Sequence, residues 1–235
     1  MAERRPLVIV GGNLVELPPG DTVPVGTVLA AGTSVGQVLK WNGTAWAAGT
    51  DDTGGGGGGT TTAGRTMIPI MAGSMQPSAS GGSGVLTNIA TSANQPDVLT
   101  LNFNQTTQQH AQFSIPFPKR WNRGTITARF RWSHASTTTN FGCVWGIQAV
   151  AVSDNEAINQ AYGTAVEVTD TGGTANRLYV SPETSALTVA GTPADGDTVF
   201  FRVYRKAADA ADTLAIVSRL HGVDLFITTN AENDA

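Results

Sequence analysis

Thr125-Ile126-Thr127-Ala128-Arg129-Phe130-Arg131-Trp132 alternates polar and apolar side chains without a break. A strand repeats every two residues, so Ile126, Ala128, Phe130 and Trp132 share one face. Thr125, Thr127, Arg129 and Arg131 take the other. A helix would scatter the same residues around its circumference. The stretch therefore reads as a strand with one face in a core and one in water.

The same period recurs on both sides. Leu99, Leu101 and Phe103 form one set, and Phe113, Ile115 and Phe117 another, closed by Pro116 and Pro118. Trp145, Ile147, Ala149 and Ala151 follow. Shorter apolar runs cover 165–168, 178–180 and 187–189. Val199, Phe201 and Val203 alternate against Phe200, Arg202 and Tyr204, and Val223, Leu225 and Ile227 mark the last strand. Roughly eight or nine strands separated by Gly, Asn, Asp and Pro are expected over residues 65–235. That pattern predicts an antiparallel β-sandwich of the jelly-roll kind. Residues 155–162 and 207–214 read as two short helical segments. The inward faces supply enough large side chains, at roughly 1.5–3 kcal/mol each, for the sandwich to fold alone.

The first 64 residues have no such supply. Residues 1–22 carry Leu7-Val8-Ile9-Val10, a Gly11-Gly12-Asn13 turn and Leu14-Val15-Glu16-Leu17, closed by Pro18-Pro19-Gly20-Asp21. This strand, turn, strand is too small to fold alone. Two uses fit it: a first hairpin packed on the main domain, or an attachment peptide that adds to a partner's sheet through Leu7, Val8, Ile9, Val10, Leu14 and Leu17. Residues 23–52 hold Val38, Leu39 and Trp41, then Asn42-Gly43, then Trp46. Asn-Gly predicts a two-residue type I′ hairpin. An isolated hairpin is marginal in water, so Val38, Leu39, Trp41 and Trp46 are expected at a contact with sister chains, as a trimeric stalk. Residues 53–64, with Gly54 to Gly59 in a row, read as a linker.

Composition narrows the function. Of 235 residues, 14% are charged and 40% hydrophobic, and the net charge is −4. An acidic chain of this kind does not fit a partner held by phosphate neutralisation, so no nucleic acid is expected. The single Cys143 excludes an intrachain disulfide and a cysteine-rich zinc site. No window reaches the length of a membrane span, and Leu7 to Val10 is too short for a signal peptide.

Chemistry-bearing motifs are sparse. Gly32-Thr33-Ser34-Val35-Gly36 matches G-x-S-x-G, but a nucleophile elbow needs a strand before and a helix after. The glycine run has no Lys-Ser or Lys-Thr behind it and is not a phosphate loop. His110, His134 and His221 lack metal-ligand spacing; His134, at the start of a polar stretch, reads as a solvated loop residue. Asp195, Asp197, Asp209 and Asp212 offer oxygen ligands for calcium, set against turn chemistry, helix capping and pairing with Arg205 or Lys206. Trp121, beside Lys119 and Arg120, is a candidate sugar platform, set against a tryptophan covering the sandwich edge. No catalytic residue, metal or cofactor is assigned.

Three stretches resemble the proteins of tailed-bacteriophage fibres and spikes. Pro6 to Thr22 is similar to the opening segment of fibre and minor structural proteins. Gly36 to Trp46 resembles a short module repeated in many phage fibres. Asp197 to Arg205, Ala208 to Leu214, Leu220 to Val223 and Thr228 to Asn230 resemble the end of virion proteins with a jelly-roll tip. The resemblance implies a homotrimer in the virion, held by its N-terminus to a capsid or tail protein, with a distal β-sandwich. The chain is short for a tail fibre and has one copy of the hairpin module, so a head fibre, spike or decoration protein is expected. The alternatives are a tail fibre whose sandwich recognises host surface polysaccharide, and an enzyme acting on that polysaccharide.

Overall fold

The computed structural model describes residues 7–10, 13–16, 37–41, 46–50, 64–136, 140–231 and 233–234. The chain divides into two compact units, Met1–Thr60 and Thr61–Ala235. Among the described residues there is no α-helix; one 3-10 turn, Ala72–Ser74, is the exception to strands and loops.

The first unit contains two antiparallel pairs. Strand β1 (Leu7–Val10) pairs with β2 (Asn13–Glu16) in the register Val10↔Asn13, which leaves Gly11-Gly12 as the connection. Strand β3 (Gln37–Trp41) pairs with β4 (Trp46–Thr50). The two tryptophans sit directly opposite each other, Trp41↔Trp46. A two-residue Asn42-Gly43 turn would instead pair Trp41 with Thr44, so the expected register is corrected by two residues. The side chains of Leu7, Val8, Ile9, Val10, Leu14, Leu39, Trp41 and Trp46 lie outside the described residues, as do Leu17, the G-x-S-x-G stretch and the glycine run. Val38 is 38% exposed.

The second unit is the sandwich. Its strands are β5 (Gly64–Met71), β6 (Gln76–Pro77), β7 (Leu86–Ile89), β8 (Val98–Phe103), β9 (Gln109–Pro116) and β10 (Thr127–His134). Then come β11 (Phe141–Val152), β12 (Val166–Gly172), β13 (Tyr179–Val180), β14 (Thr198–Arg205) and β15 (Ser218–Thr229). One sheet runs β13-β10-β15-β8-β7, with β5 on the far half of β15; the other runs β12-β11-β14-β9-β6. The antiparallel pairs β11–β12, β10–β13, β9–β14 and β8–β15 nest one inside the next. This is a ribbon wound on itself, with β10–β15 and β11–β14 closing the two sheets, which is the jelly-roll arrangement.

Alternation places the core as expected. Ala128, Phe130 and Trp132 of β10 are fully buried, as are Trp145, Ile147, Ala149 and Ala151 of β11. Phe130 stacks on Trp145 at 5.5 Å and Phe103 meets the same indole edge-on at 5.2 Å. Phe113 and Phe201 stack at 4.9 Å. Residues 155–162 and 207–214 form turns and loops, not helices. In the second of these, each carboxylate already has a partner that competes with helical backbone bonding. Asp209 accepts from the Ala211 N–H at 2.9 Å, and Asp212 turns inward.

That inward turn builds an ion pair inside the sandwich. The side chains of Arg205 and Asp212 are both fully buried and meet through two hydrogen bonds of 2.9 and 2.7 Å. Arg205 also donates to the carbonyls of Ile216, at 2.7 Å, and Leu214. Asp212 accepts from the Val144 N–H at 3.0 Å. A buried charge needs every lone pair and proton engaged. Here that requirement fastens the β14–β15 loop to β11.

Candidate functional site

The outer face of the five-stranded sheet carries the most organised set of surface side chains. Alternation turns Phe200, Arg202 and Tyr204 outward from β14, and register lines them up with their neighbours. Gln112, Arg202 and Gln148 form one cross-strand row, and His110, Tyr204 and Gly146 the next. Ser114, Phe200 and Val150 form a third.

The middle row is held rigidly. Arg202 donates to Gln148 Oε1 from Nε at 3.0 Å and from Nη2 at 2.6 Å. Gln148 in turn donates to the Gly163 carbonyl at 2.9 Å. The guanidinium lies over the Tyr162 ring, 4.9 Å from its centroid. Gln112 donates to Ser78 Oγ at 2.9 Å. Burial pushes the Tyr162 phenol above its ordinary value, with Arg202 opposing. Tyr162 therefore presents a neutral ring and hydroxyl.

In the neighbouring row, Tyr204 lies flat over Gly146. A Cβ at Gly146 would fall 2.2 Å from Tyr204 Cζ, so only glycine admits the ring. Tyr204 donates to Glu167 Oε1 at 2.8 Å, and its phenol is held well above the ordinary range by burial first and that bond second. His110 sits 5.6 Å from the Tyr204 ring, its pKa lowered chiefly by burial.

Phe200 is half-buried and stands between two hollows. One, of about 410 Å³, is lined by Ser74, Gln76, Gln112, Ser114 and Phe200; the other, of about 390 Å³, by Asp154, Glu156, Ile158, Thr198 and Phe200. The face thus offers aromatic surfaces, at Phe200 and Tyr162, flanked by amides and hydroxyls and, on one side of Phe200, by the carboxylates of Asp154 and Glu156. This is the equipment for binding a polar ring that has one apolar face. Among the described residues no group of three His, Cys, Asp or Glu could hold a metal ion.

The residues expected from sequence to carry function stand elsewhere. Trp121 is 1% exposed and packs edge-on against Phe117 at 4.6 Å. It closes one end of the core and is corrected from sugar platform to core residue. His134 is likewise fully buried, within 5.6 Å of Tyr179 and 4.8 Å of Phe141, and not a solvated loop residue. The Asp residues considered for calcium are engaged by the protein. Asp195 pairs with Arg123 at 2.7 Å, Asp197 accepts from the Ala194 N–H at 2.7 Å, and Asp209 pairs with Lys206 at 3.1 Å. Asp212 belongs to the buried pair with Arg205. Cys143 is buried, and burial raises its thiol far above the ordinary range. That thiol stays protonated and unreactive.

Phe200, Arg202 and Tyr204 were placed on the polar side of β14 by alternation, and an aromatic pair on a water-facing side was the available signal. Tyr162 carried none, because it sits in a loop.

No family model and no curated protein matches the chain. Solved structures similar to it include carbohydrate-binding modules. The C-terminal family 22 carbohydrate-binding module of Clostridium thermocellum Xyn10B has a TM-score of 0.39 and 13% identity, over 71% of this chain and 93% of that one. The CBM22-2 xylan-binding domain of Paenibacillus barcinonensis Xyn10C has a TM-score of 0.40 and 9% identity, over 68% and 98%. TmCBM61, solved with β-1,4-galactotriose, has a TM-score of 0.30 and 12% identity, over 69% and 88%.

Proposed function

We propose that this chain is a non-enzymatic structural protein of a tailed-phage particle, whose sandwich contacts neutral polysaccharide on the host surface. The observation that carries the sugar-binding part is the outer face of the five-stranded sheet. Phe200 and Tyr162 supply ring surfaces, and Gln112, Gln148, Arg202 and Ser114 supply fixed donors and acceptors beside them. A sugar ring has C–H groups on one face and hydroxyls at its rim, so it needs that combination. Arg202 is held against Gln148 and Tyr162, and Gln112 by Ser78, before any ligand arrives, which lowers the ordering cost of binding.

The structural part rests on the resemblance of the three sequence stretches and on the division at Thr60. In this reading residues 1–22 dock on a capsid or tail protein, and residues 23–52 join three chains through Val38, Leu39, Trp41 and Trp46. The sandwich is then displayed on a head fibre, spike or decoration protein. A tail fibre is the second reading, favoured if the sugar contact proves essential to adsorption.

A glycan array probed with the full chain tests the sugar contact. Neutral oligosaccharides should be retained by the wild type and lost from Phe200→Ala and from Tyr162→Ala, with both variants folded by circular dichroism. Retention that survives both substitutions would overturn the assignment of this face. Incubation of host envelope with the protein, followed by a reducing-end assay, should release no sugar.

A further inference from the structure

The opposite sheet holds a second concavity with a different chemistry. A cleft of about 600 Å³ opens between the β7–β8 loop and the β12–β13 loop. Ser133, Arg219 and His221 lie at its base on β10 and β15. Ile89 and Val98 line one side, and Asn176, Arg177 and Leu178 the other.

Its charge is one-sided. Two arginines and a histidine line it, together with Ser92, Gln95 and Thr91, and no carboxylate does. Elsewhere on the same outer surface arginines are neutralised: Arg65 and Arg129 share Glu183, and Arg131 takes Asp224. Among the described residues Arg219 has an amide partner alone, donating to Asn176 Oδ1 at 3.2 Å. Arg177 is exposed and makes no hydrogen bond or ion pair with any described residue. Two arginines thus line a single cavity, and neither pairs with a carboxylate among the described residues.

The backbone is shaped around this place. Between Arg131 and Trp132 the β10–β15 register slips, so His221 becomes an extra residue in β15. A bulge re-aims side chains and is common beside binding sites. Here it brings His221 Nε2 to 2.7 Å from Ser133 Oγ.

We propose that this cleft binds an acidic saccharide unit, with a carboxylate or sulfate on the sugar held by Arg177 and Arg219. Guanidiniums suit planar and tetrahedral oxyanions because their N–H groups are paired in a fixed fork. The cleft volume falls in the range used for organic ligands, far beyond a bare inorganic anion. Ile89, Val98 and Leu178 offer apolar walls to the ring that carries the charge. The site is separate from the face assigned above to neutral sugar, and either assignment stands if the other fails.

Calorimetric titration of the full chain tests it, with tetragalacturonate, a sulfated galacto-oligosaccharide, their uncharged counterpart and inorganic phosphate as probes. At least one charged oligosaccharide should bind about tenfold or more tightly than the uncharged one, and more weakly as salt rises. Arg177→Gln and Arg219→Gln should each weaken it by about tenfold or more. Phe200→Ala should leave it unchanged, which separates this site from the neutral-sugar face. Because Arg177 has no protein partner among the described residues, its loss cannot act by unfolding the cleft. Equal binding of charged and uncharged oligosaccharides, binding of neither charged one at millimolar concentration, or indifference to Arg177→Gln would overturn the proposal. Phosphate binding as tightly as the oligosaccharides would also overturn it, since the site would then take a bare anion.

Discussion

Replacing Asp212 by alanine isolates the one fully buried ion pair among the described residues. It leaves the Arg205 guanidinium charged, fully buried and supported only by two carbonyls and a serine hydroxyl. It also removes the acceptor of the Val144 N–H. Removing one partner of such a pair typically costs about 3–5 kcal/mol, because the remaining charge keeps its desolvation penalty. For a domain of this size each kcal/mol lowers Tm by about 2–4 °C, so the expected fall is about 6–20 °C. Urea unfolding followed by tryptophan fluorescence reads it directly, since Trp121, Trp132 and Trp145 are all buried. The double variant Arg205→Met with Asp212→Leu removes both charges and fills their space, and should recover most of the loss. If Asp212→Ala costs less than about 1 kcal/mol, the pair does not fasten the loop as argued. If the double variant is as damaged as the single one, the unpaired charge is not the cause.

Trp121→Ala should cost about 3–5 kcal/mol in unfolding free energy, as for a large core truncation, and should leave sugar binding intact at temperatures where the fold persists. Gly146→Ala should displace the Tyr204 ring and lower stability by about 1–3 kcal/mol, visible as a changed Tyr204 environment in NMR. Acidification is a third probe. Burial is the main cause holding the pKa values of His110, His134 and His221 below that of an ordinary histidine. The unfolded chain therefore takes up these protons at higher pH than the folded one. The associated stability is complete above about pH 6.5 and is lost as pH falls through the lowered folded values. Thermal scans should show Tm falling from pH 7 to pH 5; a rise would contradict the buried, neutral state of these rings. Trp41→Ala with Trp46→Ala should reduce the molar mass seen by light scattering from trimer to monomer, and an unchanged mass would remove the stalk.

Much of the sandwich was legible in the sequence because period-two patterning survives wherever one face meets water. It located β10, β14 and β15 and assigned the faces of Phe200 and Arg202 correctly. It failed where a buried side chain has polar or charged neighbours in the sequence that hide its burial. Trp121 follows a loop with two cationic residues, so nothing local announces that its ring turns inward against Phe117. His134 continues the inward side of β10 after Trp132, but a polar run behind it masked that position. Asp209 and Asp212 have the spacing of a helix cap, but Asp209 is taken by Lys206 and the Ala211 N–H, and Asp212 by Arg205 and the distant Val144 N–H. The hairpin register shows the same limit. Asn42-Gly43 favours a tight turn, yet Trp41 pairs with Trp46. The sugar-binding face depends on strand order: Gln112, Arg202 and Gln148 come from three separate strands, and only the topology puts them in one row.

The most direct test of the sugar-binding claim is amide hydrogen exchange of the full chain with and without the neutral oligosaccharide best retained on the array. Slowed exchange should fall in the segments that carry Gln112, Gln148, Tyr162 and Phe200. Slowing confined to β10 and β15 of the other sheet, or no slowing at saturating sugar, would contradict it.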